Sequence, residues 1–436
     1  MSAPPEAFVR CFRQAGPYLN AHRGKTVVIH FQGQAIQDPR FDHLIHDIAL
    51  LHSLGLHLVL VHGIGPQAEA HLKRFQQPSR WIKGRRLVDS RQLSAVIAAV
   101  GEVRIGVEAK LSMGLANSPM HGARIRVASG NFVTAKPVGV RDGVDMGFAG
   151  EVRRVDIASL SAALHQGTLV LLSPLGYSPT GEIFELEARQ LAAATAIALR
   201  ADKLVLLHEE TLLEAAGPLR RQLTPLDVEQ TLVDTTLPPS TRAHLREALE
   251  VLKAGVRRIH LIPRSIDGGL LLELFTRDGV GTMVSMDGYD HLRQAAVDDV
   301  GGLLALIQPL EEEGILVRRS RERLETEIHH FAVLERDGAV IGCAALYPFG
   351  PEAIGELACL AVHREYRQNG RADALLQYVE RKAKGQRLDR LFVLTTTAAH
   401  WFRERGFEPA ALDDLPVARR AMYNYQRRSQ VLLKTL

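Results

Sequence analysis

Cysteine is scarce in this chain. There are three in 436 residues, Cys11, Cys343 and Cys359, far apart and with no C-x-x-C pair. That spacing argues against a disulfide scaffold or a thiolate metal site, so no metal is expected and a reducing compartment fits. Long apolar runs are also missing: no stretch approaches the ~18 residues that a membrane helix needs, and no membrane contact is expected. The opening MSAPPEAF has neither a basic n-region nor an apolar h-region, so no signal peptide is expected and the protein reads as cytoplasmic. A strong charge of one sign is absent as well, the net charge being +4 at pH 7. Without a clustered basic face the chain is not a dedicated nucleic-acid binder, although a local basic site for an acidic small molecule stays open.

What is present is a long alternation. The length implies about two or three domains. From Lys25 to about Ser285, strands such as KTVVIHF, LHLVLVHG, RIRVASGNFVTA, GTLVLLSPLG, KLVLLH and RRIHLIP are separated by helices such as FDHLIHDIALLHSLG, closed by Gly55, and ARQLAAATAIALRA. Strands separated by helices of this length imply right-handed crossovers and a mainly parallel sheet covered on both faces. After MDGYD the signature changes to a short strand, a helix, a hairpin through Asp337-Gly338, a further strand, a glycine turn, a helix and the strand LFVLTT. The expected division is an N-terminal helical arm at 1–24, a first domain at 25–286, a linker at 287–292 and a second domain at 293–436.

Two turns carry the chemistry. In VLVHGIGPQ a strand stops at a glycine-bracketed turn able to hold a phosphate on backbone N–H groups, and equally able to serve backbone geometry alone. In LACLAVHREYRQNGRADALL the run Arg367, Gln368, Asn369, Gly370, Arg371, Ala372 opens a helix whose apolar residues Leu375, Leu376 and Val379 recur at helical spacing. The unpaired N–H groups and positive end of that helix suit a pyrophosphate, and Gly370 lets the backbone approach it.

The first region resembles the amino-acid kinase family from about Thr26 to Thr282. The family's phosphate-binding charges are altered here: His30 stands in a lysine position, Gln32 in a glycine position, and Glu185, Glu187 and Arg189 in FELEARQ replace Asn, Asn and Asp. Only Lys203 survives. Phosphoryl transfer depends on positioned positive charge, so no kinase activity is expected. The second turn is similar to the R-x-x-G-x-A signature of GNAT acetyltransferases. The resemblance implies a pantetheine lying beside the strand ELACLAV, with backbone N–H groups near Cys359, Leu360, Ala361 and Val362 polarising the thioester. It also implies Glu356 as the base for the incoming amine and Thr395 in LTTTAAHW as hydrogen-bond donor to the CoA thiolate.

Taken together, the order of domains and the runs GVRDGVD, LLELFTRDGVGT, QPLEEEGILVRRSRE, CAALYPF, WFRERGF and YNYQRRSQVL resemble the N-acetylglutamate synthase family along essentially the whole chain. That resemblance implies an α/β fold, with a kinase-like three-layer sandwich followed by a smaller mixed GNAT domain. It implies acetyl-CoA as co-substrate with no permanently bound cofactor. L-glutamate would be held by Val317, Arg319 and Arg427, whose neighbours Arg318 and Arg428 leave the register open. L-arginine would act as a feedback inhibitor at Tyr18, Lys203, Glu273, Gly279 and Gly281, where Glu273 pairs with the cation and glycine N–H groups take the carboxylate. The helical arm EAFVRCFRQAGPYLNAHRG implies a homo-oligomer, with a hexamer expected. Competing readings are acetylglutamate kinase, an arginine-sensing acetyltransferase for another amino acid, a non-catalytic arginine sensor, and a protein-lysine acetyltransferase.

Overall fold

The computed structural model describes residues 5–114, 118, 120–209, 222–234, 237–276, 279–286, 290–336, 339–367 and 370–436. It divides into two compact units, 1–288 and 289–436. In the first, an eight-stranded sheet runs in the order Gln222–Leu223, Thr282–Ser285, Arg258–Pro263, Lys203–His208, Thr26–Phe31, His57–His62, Thr168–Leu172, Arg126–Ala128. The pairing is parallel except where Thr282–Ser285 meets Arg258–Pro263. The central strands are buried on both faces, as parallel sheets require. Val27, Ile29, Leu58 and Leu60 serve one core, and Val28, Val59, Val61 and Val170 the other. The helix Phe41–Ser53 buries Phe41, Ile45, Ile48 and Leu51, and Gly55 follows its end at φ +87°.

Two expected strands do not form as single units; GTLVLLSPLG divides into Thr168–Leu172, in the large sheet, and Leu175–Tyr177, outside it. RIRVASGNFVTA splits into Arg126–Ala128, in the large sheet, and Val133–Pro137, in a separate four-stranded sheet. The turn-forming Ser129-Gly130-Asn131 between them breaks the extended run. Ahead of the first strand, Pro5–His22 is helical, with Phe8 66% and Phe12 62% exposed and their rings stacked.

The second unit is a seven-stranded sheet ordered Asp290–Gln294, Phe331–Arg336, Ala339–Phe349, Ile354–Val362, Arg390–Thr395, Gln430–Thr435, Glu408–Pro409. Its first strand occupies all of the described part of the stretch expected as a linker, because Asp290–Gln294 pairs antiparallel with Phe331–Arg336. The turn residues Asp337 and Gly338 lie outside the described residues, but the antiparallel pairing of the strands that flank them is present. The helix Arg371–Gly385 buries Leu375, Leu376, Val379 and Ala383 in the core of this sheet.

Candidate active site

The strand Ile354–Val362 changes character halfway along. Ile354–Glu356 pair in parallel with Arg390–Phe392, and beyond Glu356 no further residue of the two strands is in register. On the other side, Cys343 faces Ala361 and Ala345 faces Ala358, so Cys359 and Leu360 have no registered partner on either neighbouring strand. Cys359 adopts φ +52°, a left-handed conformation that non-glycine residues enter at a cost of about 1–2 kcal/mol. A bulge of this kind re-aims the backbone and releases its N–H groups from the ladder. Both thiols beside it are buried, and Cys343 Sγ donates to the Cys359 carbonyl at 3.3 Å, so these sulfurs are packed into the core.

The opening leads into a cavity of about 570 Å³. Its walls bring together Glu356, Cys359, Leu360, Thr395, Val317, Arg319 and Arg427, residues drawn from well-separated parts of the sequence. Thr395 is buried, and its Oγ1 accepts from the Ala398 N–H at 2.9 Å, which leaves the hydroxyl proton free to be donated. Arg319 and Arg427 line the cavity, whereas Arg318 and Arg428 are exposed and do not. Arg427 donates from Nη2 to the carbonyls of Gly314 (3.3 Å) and Ile315, tying the turn that carries it to the segment that leads to Arg319. The Nε of each of these two arginines is buried without a hydrogen-bond partner. Burial first, and the charge of Arg319 second, lower the Arg427 pKa.

Two residues lining this cavity, Arg419 and Tyr347, gave no signal in the sequence. Glu356 is only 8% exposed and is gripped by Arg419, whose Nε donates to Oε2 at 2.6 Å and Nη2 to Oε1 at 3.0 Å. Tyr347 stands directly across the ladder from Glu356 and donates to Glu327 Oε2 at 2.6 Å. Burial and that carboxylate together raise the Tyr347 hydroxyl well above its ordinary value. Arg419 sits in PVARRAMY, where nothing in spacing or pattern separates it from Arg420.

At the glycine turn, Gly370 has φ +69° and caps the helix Arg371–Gly385, so its backbone is left-handed as the motif requires. Gln368 and Asn369 lie outside the described residues. The Arg371 side chain is turned inward, donating from Nε to Asp290 Oδ2 at 2.6 Å and from Nη1 to the Tyr366 carbonyl at 3.1 Å. Its contribution to an anion is therefore its backbone N–H at the helix start, with Ala372 next in line. Arg367 is exposed beside them, with Nε 3.4 Å from the Val362 carbonyl.

In the first unit, the glycine turn after His57–His62 borders a cavity of about 300 Å³ whose lining includes His30, Gln32, Glu185, Glu187 and Arg189. Burial, helped by Arg189, pushes the His30 imidazole down to about 3, so it is neutral. The surviving lysine is elsewhere: Lys203 pairs in register with Val27, at the opposite end of the strand from the turn. There Lys203 Nζ lies 3.5 Å from His260 Nε2, and His260 Nδ1 lies 2.7 Å from Glu273 Oε1. Glu273 Oε2 also accepts from the N–H groups of Val280 and Gly281, both at 2.8 Å. Burial would raise the Glu273 carboxyl, but the bond from His260 and these N–H groups outweigh it and hold the group at about 2. This differs from the sequence expectation that Glu273 faces a cation and that the glycine N–H groups take a carboxylate. Here the carboxylate turns inward and occupies the Gly281 N–H itself. A side chain at Gly279, which has φ +60°, would place its Cβ 2.4 Å from Glu273 Oε2. Tyr18 lies on the arm helix, which meets the same region through His22 Nε2, 2.7 Å from the Leu274 carbonyl.

Comparison with known proteins agrees with both halves. The amino acid kinase family model matches residues 25–263 and the acetyltransferase (GNAT) family model residues 303–407. The amino-acid acetyltransferase of Pseudomonas aeruginosa is 51% identical over 431 residues, covering 98% of this chain and 99% of that protein. A crystal structure of N-acetylglutamate synthase from Neisseria gonorrhoeae complexed with coenzyme A and L-arginine is 37% identical, with a TM-score of 0.90 over 98% of this chain and 99% of that one. A structure of the Neisseria synthase complexed with coenzyme A and N-acetyl-glutamate is 38% identical, with a TM-score of 0.63 over the same shares. A kinase-like domain followed in sequence by a GNAT domain, over a relationship this complete, makes the chain a member of the amino-acid acetyltransferase family that includes N-acetylglutamate synthase.

Proposed function

We propose that the chain transfers the acetyl group of acetyl-CoA to the α-amine of L-glutamate, releasing N-acetylglutamate and CoA, and that L-arginine inhibits it through the kinase-like domain. The observation that carries the reading is the break in the ladder at Cys359 and Leu360, opening onto a cavity that also holds Glu356, Thr395, Arg319 and Arg427. The pyrophosphate of acetyl-CoA lies on the helix start behind Gly370, from Arg367 to Ala372, and the pantetheine fills the splay beside Ala361 and Val362. N–H groups released at Cys359 and Leu360 face the thioester oxygen, where charge develops as the amine attacks. Glu356 takes the proton from the ammonium, and the hydroxyl of Thr395 donates to the departing thiolate. Arg319 and Arg427, with the Val317 carbonyl beside them, receive substrate carboxylate, a role suited to planar guanidinium groups.

Arginine acts through Tyr18, Lys203, Glu273, Gly279 and Gly281. Its guanidinium would compete with His260 for Glu273, so binding there entails opening the inward-turned carboxylate. The exposed Phe8 and Phe12 of the arm helix support a homo-oligomer, with a hexamer as the proposed form. The test is CoA release from acetyl-CoA with glutamate, with aspartate, and with glutamate plus arginine. Glutamate-dependent release suppressed by arginine supports both roles. Release indifferent to arginine removes the regulatory role, and no glutamate-dependent release overturns the reading.

A further inference from the structure

Glu356 as it stands is not ready to act as a base. Both of its oxygens accept from Arg419, at 2.6 and 3.0 Å, and the pair shares one wall of the cavity with Thr395 and Arg427. A carboxylate held bidentately by a guanidinium is among the most strongly paired arrangements in proteins, and protonating it means breaking that pairing. The substrate raises a second difficulty. In an α-amino acid the carboxylate is two bonds from the amine, so bringing the amine to Glu356 also brings a second negative charge to its side. Like charges in a site that is mostly out of water repel strongly unless a cation lies between them.

Arg419 answers both difficulties. It belongs to a four-residue helix, Val417–Arg420, among short segments outside the sheet. Its side chain keeps 20% of its exposure, and apart from Glu356 its described hydrogen bond is a long one, Nη1 to the Met422 carbonyl at 3.4 Å. It is free to turn at little cost to the core. We infer that the Arg419–Glu356 pair is a resting-state latch, and that the α-carboxylate of the substrate draws Arg419 off Glu356 as it binds. The base is then released only when an amine carrying an adjacent carboxylate occupies the cavity. Arg319 and Arg427, on the part of the wall formed by the 314–319 segment, remain for the side-chain carboxylate. This rests on the acetyl-transfer reading and assigns Arg419 to substrate binding and to control of the base.

The experiment pairs an enzyme change with a substrate change. Wild-type enzyme and Arg419→Gln are compared on glutamate and on its α-carboxamide analogue, which keeps the amine and the side-chain carboxylate but lacks the α-carboxylate. Wild type strongly prefers glutamate in kcat/KM. In Arg419→Gln that preference collapses by roughly tenfold or more, the scale of coupling between groups in direct contact. Most of the collapse comes from lost activity on glutamate, and Arg419→Lys restores part of the preference. A purely structural role for Arg419 lowers both substrates in proportion; a preference unchanged from wild type overturns the inference. Failure of wild type on glutamate itself overturns the acetyl-transfer reading instead, so the two failures are distinguishable. Should Arg419→Gln not fold, the wild-type structure with CoA and glutamate decides. The Nε–Oε2 distance must open beyond the ~4 Å limit of an ion pair, and a retained 2.6 Å contact refutes the exchange.

Discussion

Replacing Arg427 with alanine removes a side chain that has two jobs in the cavity wall. One is inward: Nη2 holds the carbonyls of Gly314 and Ile315 at the base of the segment that delivers Arg319. The other faces the cavity, where Arg319 and Arg427 sit close enough for the charge of the first to lower the pKa of the second. Two mutually repelling guanidinium groups, each with a buried Nε lacking a partner, are a site waiting for an anion. A hydrogen bond to a charged group contributes about 1.5–3 kcal/mol, and a half-buried position places this one near the middle of that range. The expected result for Arg427→Ala is a glutamate KM raised roughly 10- to 100-fold, since each ~1.4 kcal/mol is a factor of ten. The acetyl-CoA KM should stay within about twofold, because the proposed pyrophosphate and pantetheine contacts lie elsewhere on the wall. Steady-state CoA release with either substrate varied measures both constants. A glutamate KM within about twofold of wild type, in a variant with an unchanged acetyl-CoA KM, refutes the assignment of this arginine to the substrate carboxylate.

Three further outcomes follow from groups whose environments are now defined. Thr395→Val removes the proton offered to the thiolate and should lower kcat by roughly 10-fold or more with little change in either KM, while Thr395→Ser recovers most of it; a kcat unchanged in the valine variant assigns Thr395 to strand structure alone. Glu273 is held at about 2 against an ordinary 4.5, so its stabilising contribution is complete above pH 4.5 and is lost as the pH falls through about 2. Glu273→Gln should therefore be less stable than wild type at pH 7, by up to about 3 kcal/mol, with the gap in urea midpoint narrowing below pH ~4.5; a gap independent of pH refutes the charge as its source. Burial, reinforced by Asp267, raises Asp47 to about 6 from 3.8, so folding is penalised as the pH rises between those values. Asp47→Asn should raise Tm at pH 7–8 by the equivalent of no more than about 2 kcal/mol and leave it unchanged near pH 4, whereas equal shifts at both pH values would contradict burial of the charge as the cause.

The readable parts of the sequence are those whose signal is local. The strand VVIHF, the amphipathic helix Phe41–Ser53 and the left-handed Gly370 ahead of a helix each follow from periodicity or from one glycine, and the structure forms all of them. Glu356 and Thr395 were found through family position and lie on one cavity wall with the two arginines. What stayed hidden depends on pairing across large sequence distances. Arg419 lies 63 residues from Glu356 and looks like any other surface arginine in PVARRAMY. Glu273 was legible as a charge but not as a buried one, because its partners His260, Val280 and Gly281 come together only when two strands and a helix end assemble. The side-chain partner of Arg371 is hidden for the same reason. The motif marks its backbone position, while its side chain goes to Asp290, a residue taken from sequence as linker.

The kinase-like half keeps the shape of that fold around altered charges. Its glycine turn still borders a cavity at the ends of the first two strands, yet the imidazole at its floor is neutral and Arg189 is drawn to Glu247, 2.6 Å away. Arg85 and Arg86 also line that cavity, Arg85 beside Glu151 and Arg86 beside Glu69 and Glu185, so the positive charge there is met by carboxylates of the chain itself. At the opposite end of the strands from that turn, Lys203, His260 and Glu273 form a buried chain of contacts. Glu273 is satisfied from within by His260 and two N–H groups, so a ligand that drew it away would leave those donors needing another acceptor. A ligand carrying both a guanidinium and a carboxylate meets that condition, because it supplies the cation that Glu273 accepts and the anion that the released N–H groups require. A simple alkylguanidinium supplies only the first, and on this argument it should bind far more weakly than arginine.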